Sequence, residues 1–316
     1  MNPKVLIAGA GQLGSRYLQG LAKATDALEI YVFDISPDSL TRAEQRWSES
    51  NPAGTHFVHY ISDLNLLAKT LDLVIVSSTA DVRTELVRQI VNHSNVKHWL
   101  LEKVLCQSIG EIADLRELLA KANSVWVNTC MYLWPLYRNI RALYPQGSNI
   151  QASFSGFRGL SCNACHYIDF VSRWNGAPLT DVNVSGLHRG WHACKRLGFF
   201  DIDGNILMSF AEGSTLMLSS ERNNLSYQVT LRIAGDEWQV FESEGFARAA
   251  DGRVINGCIE YQSQLTAPLV KAILAGSKTG LPTFEESVQQ HIPLLTALLE
   301  HWNRYMPNKV EHLPIT

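Results

Sequence analysis

Residues 4–14 read KVLIAGAGQLG, an apolar run of strand length that breaks directly into Gly9-Ala10-Gly11-Gln12-Leu13-Gly14. An apolar run without alternation fits a strand buried on both faces, as in a parallel sheet covered by helices. G-x-G-x-x-G alone is a weak pattern. Here it follows a strand, opens a helix, and precedes Asp34, twenty residues past Gly14, which is the context of a dinucleotide-binding turn. Gly9 permits the tight turn, Gly11 lets the backbone approach a pyrophosphate, and Gly14 lets helix and strand close up. Gln12 and Leu13 open the helix, whose unpaired N–H groups face the phosphates. Asp34 ends the stretch LEIYVFDI, where its carboxylate accepts from ribose hydroxyls and repels a 2′-phosphate. The expected cofactor is NAD, with NADP as the alternative because Ser36 and Arg42 lie close by.

Outward from this turn, strand-like and helix-like segments alternate. The pattern predicts a helix over 13–23, the strand LEIYVFDI, a helix over 37–50 opened by Pro37, and a strand around HFVHYI. A helix over 64–69, the strand LDLVIVSST, a helix over 81–92, the strand HWLLEK, a helix over 109–123 and the strand SVWVNTC follow. Such alternation implies a parallel sheet with right-handed crossovers. After Tyr144-Pro145 the character changes. IQASFSGF, ILMSFAEGSTLMLSS, YQVTLRIAG and EWQVFES alternate with period two between turn residues, which is the pattern of antiparallel strands. Helices are expected over 161–175, capped by Ser161 and ended by Gly176, and over 263–275 and 284–304. The expected architecture is an α/β Rossmann domain, residues 1–125, followed by an α+β domain, residues 126–316, with a large, mostly antiparallel open sheet.

The chain has 316 residues, 46% hydrophobic and 18% charged, with a net charge of −3. Its Lys and Arg are scattered, so no nucleic-acid partner and no anionic membrane surface is expected. No apolar run approaches the roughly 18 residues of a membrane span, and MNPKVLIAGAG lacks the features of a secretory leader. A cytoplasmic location is therefore expected. That bears on Cys162-Asn163-Ala164-Cys165-His166, which as a bare C-x-x-C-H resembles a haem attachment site. Such attachment does not belong to a reducing compartment. Zinc held by Cys162, Cys165, His188, His192 and Cys194 needs a gap of about 22 residues between ligand pairs, long for a compact finger. The segment reads better as a helix with small buried thiols, and no metal is expected.

Four blocks carry a resemblance: VLIAGAGQLGSRYLQGL, VIVSSTADVR, LLEKVLCQSIGEIADL and VNTCMYLWPLYRNIRAL. In this order and spacing they resemble the Gfo/Idh/MocA family of NAD(P)-dependent oxidoreductases, and LPTFEESVQQHIPLLTALLE resembles its closing helix. The resemblance implies cofactor contacts at Ile35, Ser78, Thr79, Asp81, Glu102 and Lys103, besides the glycine turn and Asp34. It aligns Glu102-Lys103-Val104 with the family's Glu-Lys-Pro, whose lysine sits beside the nicotinamide and the substrate hydroxyl; Val104 replaces the proline. It places His166 on the histidine of the substrate-site helix, with Cys162 where an aspartate is expected. In a helix Cys162, His166, Asp169 and Arg173 lie near one face, so Asp169 is a candidate to orient the imidazole. Tyr132 and Trp134, after Met131, are candidate substrate contacts. So are Arg158, Cys162, and the polar, aromatic stretch LHRGWHACK with His188, Arg189, Trp191, His192 and Lys195, expected as a loop suited to an anionic substrate.

The implied reaction is hydride transfer between the nicotinamide and a secondary alcohol or ketone carbon of a sugar or cyclitol, with Lys103 and His166 handling the oxygen and its proton. Two other readings stay open: reduction of a C=N or conjugated double bond, and a dinucleotide-binding sensor or scaffold without turnover. The expected partners are a small-molecule substrate and further copies of the chain, as a homodimer or homotetramer through the C-terminal sheet.

Overall fold

The apolar run at the start of the chain forms β1 (Lys4–Ala8), whose Val5, Leu6, Ile7 and Ala8 are buried. The structure is a computed structural model that describes residues 2–50, 52–53, 55–223 and 226–316. After β1 come α1 (Gln12–Leu21), β2 (Glu29–Phe33), α2 (Pro37–Glu49), β3 (Phe57–Ile61) and β4 (Thr70–Val76). Then follow α3 (Ala80–His93), β5 (Asn95–Leu101), α4 (Ile109–Leu118) and β6 (Ser124–Val127). These strands form a six-stranded sheet in the order β3-β2-β1-β4-β5-β6, parallel throughout. The order reverses between β1 and β4, and in such sheets ligands bind at the carboxyl ends of the strands flanking that point.

Two expected helices are shorter than their apolar spacing suggested. Residues 64–69 make only one 3₁₀ turn, Leu64–Leu66, because Asp63 bonds the Asn65 N–H and Leu67 is already extended. α4 ends at Leu118, and Ala120 and Ala122 close back in turns onto Glu117 and Leu119.

The chain continues with α5 (Pro135–Arg141), β7 (Ile150–Ser155), α6 (Leu160–Asn175), β8 (Leu179–Ala193), β9 (Phe200–Phe210) and β10 (Thr215–Ser220). It ends with β11 (Gln228–Ile233), β12 (Asp236–Phe241), β13 (Phe246–Ala249), β14 (Val254–Asn256), α7 (Gln262–Leu274) and α8 (Phe284–Tyr305). The second sheet has eight strands in the order β14-β13-β12-β11-β7-β10-β9-β8, antiparallel except where β7 and β10 run parallel. One face is covered by α6, which touches β7, β9 and β10 and buries Ile168, Phe170, Val171 and Trp174.

Two compact units result. The first comprises the chain up to Cys106, Gly110–Asn128 and Glu260–Phe284; the second comprises Gln107–Ile109, Thr129–Ile259 and the chain from Glu285 on. This division differs from a single cut after residue 125 because α7 returns to the first unit. There it crosses α1 so closely that a Cβ on Gly20 would stand 2.6 Å from the Thr266 Cβ. Among the described residues, no helix is long and apolar enough to cross a membrane.

Candidate functional site

The glycine turn lies at the carboxyl end of β1, where the sheet order reverses. Gly9 has φ +103°, a conformation that L side chains rarely adopt, and its N–H donates to the Phe33 carbonyl at 2.8 Å. A Cβ on Gly14 would collide with the Gly9 backbone, so α1 and the turn close up only because that atom is missing. A Cβ on Gly11 would meet nothing within 4 Å. Gly11 is thus not required by its own surroundings; it keeps open space beside the N-terminus of α1, as an approaching pyrophosphate needs. Asp34 is held by two backbone donors, Ala10 N–H to Oδ2 at 2.7 Å and Ser36 N–H to Oδ1 at 2.8 Å. A carboxylate offers about four acceptor positions, so two remain for a ribose diol. Beside it Ile35 is 83% exposed, an apolar side chain held out into solvent. Ser36 caps α2 through the Ser39 N–H, and Arg42 donates to the Ser39 hydroxyl. These residues fit a dinucleotide with free ribose hydroxyls.

The loops after β4 and β5 border the same edge, since β1, β4 and β5 are neighbours in that order. Ser77 Oγ donates to the Gly9 carbonyl at 2.7 Å and ties the first of these loops to the glycine turn. Thr79 stands at the N-cap of α3 and Asp81 in its first turn. Glu102 is buried and accepts from Tyr17 and, at 2.6 Å, from Asn128 Nδ2. Burial pushes its carboxyl above the usual range, against the pull of Tyr17, Asn128, Lys103 and Arg83. Lys103 is half-buried, and the Lys103–Val104 peptide is cis.

Two residues that sequence reasoning missed organise this edge. Arg83 on α3 is 1% exposed and donates to the carbonyls of Ser78 at 2.6 Å, Leu105 at 2.9 Å and Val104. It pins both loops at once, and burial lowers its pKa. Its place among the buried positions Ala80, Val87 and Ile90 of α3 was the available signal. Arg46 on α2 donates to Gln12 Oε1 at 2.7 Å and to the Ser15 hydroxyl, placing a cation beside the first turn of α1.

In the second unit α6 carries Cys162, His166, Asp169 and Arg173. The helix is capped by Gly159 rather than Ser161; the Ser161 N–H and hydroxyl both donate to Asp201 Oδ1 at 2.9 Å, so a strand carboxylate serves the helix start. Gly176 ends it in the left-handed conformation, as expected. His166 and Cys162 are half-buried. Asp169 is fully buried and accepts from Gln290 Nε2 at 3.4 Å. Desolvation pushes its pKa up to about 7, opposed by Arg173, Thr129 and Gln290.

The expected loop LHRGWHACK is instead largely strand, because β8 runs through Ala193. Register shifts against β9 and the close approach of Gly204 to Gly186 break the alternation that would have shown it. Trp191 is buried in this unit's core, donating to His301 Nδ1 at 3.3 Å and lying 5.1 Å from Trp302. His188 pairs with Glu221 at 3.2 Å, and Arg222 holds the neighbouring Asp203 at 2.8 Å. His192 is half-buried; Arg158 is exposed, and its carbonyl accepts from Asn163 Nδ2. Tyr132 has the guanidinium carbons of Arg141 and Arg173 at 4.6 and 4.7 Å from its ring centre, and Trp134 stacks on Tyr137. All six cysteines are free thiols.

Residues 3–129 match the sequence model of a family described as an oxidoreductase family with an NAD-binding Rossmann fold, GFO_IDH_MocA. No curated protein matches the chain. Among solved structures, scyllo-inositol dehydrogenase from Lactobacillus casei with bound NAD(H) and scyllo-inositol is 16% identical, with a TM-score of 0.66 over 94% of this chain and 97% of that one. UDP-N-acetylglucosamine 3-dehydrogenase from Acidithiobacillus ferrooxidans is 14% identical, with a TM-score of 0.67 over 95% and 97%. Myo-inositol 2-dehydrogenase from Lactobacillus plantarum is 11% identical, with a TM-score of 0.66 over 96% and 98%. At these identities the likeness establishes a shared two-domain fold.

Proposed function

Because residues 3–129 match the model of the Gfo/Idh/MocA family of NAD-binding oxidoreductases, we propose that the chain oxidises a secondary alcohol of a sugar or cyclitol, or reduces the matching ketone. The observation that carries this reading is the shared carboxyl edge of β2, β1, β4 and β5, where Asp34, the glycine turn, Ser78 and Lys103 come from successive loops of one sheet. The substrate class follows the inositol and sugar-nucleotide dehydrogenases whose fold the chain shares.

When bound, the nicotinamide supplies the hydride chemistry. The first turn of α1 holds the pyrophosphate through backbone N–H groups. Asp34 takes the ribose hydroxyls and Ile35 offers its apolar face to the adenine, with NADP the less favoured dinucleotide. Ser78, Thr79, Asp81 and Glu102 would hold the ribose and nicotinamide. Lys103 holds the substrate oxygen and stabilises negative charge developing on it. His166 takes the hydroxyl proton during oxidation and returns it during reduction. Asp169, three residues along α6, acts on the imidazole only through the part of its charge that it keeps near neutrality, since its Oδ1 takes Gln290 and its buried Oδ2 makes no hydrogen bond. Tyr132, Trp134, Cys162, Arg158, His188 and His192 are the remaining candidates for substrate contact, whereas the buried Trp191 serves the core. The free thiols suit a reducing compartment, and we assign the chain to the cytoplasm. The uncovered sheet face, with Leu207 and Phe241 exposed, is assigned to pairing with a second copy.

The test follows absorbance of reduced dinucleotide with NAD and NADP against a panel of inositols and sugars, for wild type, Lys103→Met and His166→Ala. Turnover of a polyol with NAD, lowered about 10²–10⁴-fold in each variant, supports the proposal. Wild-type rates in both variants would overturn the assigned roles. Turnover of imines alone would favour the C=N reaction. Binding of NAD with no turnover would favour a sensor, the outcome to which Cys162 in place of an aspartate points.

A further inference from the structure

A cavity of about 530 Å³ lies within the second unit, lined by Tyr132, Arg138, Arg141, Arg173 and Gln146, with no Asp or Glu in its lining. Three guanidiniums therefore face one space without an acid. None of the three makes an ion pair among the described residues. Two of them, Arg141 and Arg173, share the ring of Tyr132 at 4.6 and 4.7 Å. Stacking on an aromatic face orients a guanidinium and leaves its edge donors free. The Nε of Arg173 is buried with no partner. Arg141 has its pKa lowered by burial and by the charge of Arg173, as uncompensated like charges require. Asp169, whose charge interacts with Arg173, has its pKa pushed up to about 7 by burial and so carries only part of its charge near neutrality.

We propose that this cavity is a binding site for the phosphate group of a small phosphorylated metabolite, held by Arg138, Arg141 and Arg173. A planar guanidinium meets phosphate oxygens with paired, parallel hydrogen bonds, and three cations suit a dianion better than a single carboxylate. The volume exceeds that of inorganic phosphate and falls in the range of small-molecule pockets, so the phosphate is one end of a larger ligand. The arginines come from α5 and from the last turn of α6. All the lining residues belong to the second unit and the glycine turn to the first; of the residues assigned above to the dehydrogenase reaction the cavity shares only Tyr132, a candidate substrate contact.

The test is calorimetric titration of the full chain at constant ionic strength, with NAD saturating so that the phosphate cradle of the first unit is filled. The probes are inorganic phosphate, glucose 6-phosphate, glucose and citrate. Saturable binding of phosphate and of glucose 6-phosphate, but not of glucose, is expected, weakened about tenfold or more in Arg141→Gln and in Arg138→Gln. Arg138 is exposed on α5, so Arg138→Gln keeps the fold, and its unchanged NAD affinity verifies that. Absence of phosphate binding, binding of citrate alone, or equal affinity in wild type and both variants would overturn the proposal.

Discussion

Replacing Arg83 by Met keeps most of the stem and removes the fork that holds two loops of the first unit together. Three carbonyl oxygens, those of Ser78, Val104 and Leu105, lose a donor in a place where Arg83 itself is 1% exposed. A buried acceptor left unpaired costs about 1–3 kcal/mol. Three at the low end give about 3 kcal/mol. Removing a desolvated cation returns part of this, so the net loss is about 2 kcal/mol. Arg83→Lys keeps the charge as a single point donor and should fall between the two. Urea unfolding at constant slope measures the loss, and fluorescence titration measures NAD affinity, expected to weaken as the Ser78 and Lys103 loops separate. An Arg83→Met protein within about 0.5 kcal/mol of wild type, with unchanged NAD affinity, would refute the bracing role.

Gly11→Ala should leave stability within about 1 kcal/mol, since its Cβ meets nothing, yet weaken NAD binding. Gly14→Ala should lower both, because its Cβ strikes the Gly9 backbone; calorimetric titration and thermal melts on the two proteins separate these outcomes. Asp169 has a folded pKa of about 7 against an ordinary value of 3.8, so the folded state binds its proton more tightly than the unfolded one. Its contribution is therefore full below about pH 4 and lost as pH rises towards about 7, a span of about three pH units or about 4 kcal/mol. Asp169→Asn should remove that slope, and denaturant melts from pH 4 to 8 that decline equally in both proteins would contradict the assignment.

The nucleotide half was legible because its signals are local. β1, the glycine turn and Asp34 lie within 31 residues of sequence, and buried parallel strands announce themselves as unbroken apolar runs. β8 was not legible: bulges at its pairing with β9 and the glycines 186 and 190 disguise a strand as a polar loop. The edge strand β14 and its neighbour β13 are too short to show a period. Arg83 reads as one more charge on a helix until the fold brings Ser78 and Val104–Leu105 to it. Likewise the three arginines around Tyr132 come from segments more than thirty residues apart, and only folding gathers them. His166 is proposed from resemblance, not from spacing. Asp169 was legible as a neighbour on the helix, whereas its bond to Gln290, 121 residues away, was not.

The most direct test of the proposed chemistry is a crystal structure of the chain with NAD and whichever polyol it turns over. For the proposed roles, the Lys103 ammonium and a ring nitrogen of His166 are expected within about 3 Å of the same substrate oxygen. A substrate oxygen held by neither side chain, or by groups other than these two, would contradict those roles.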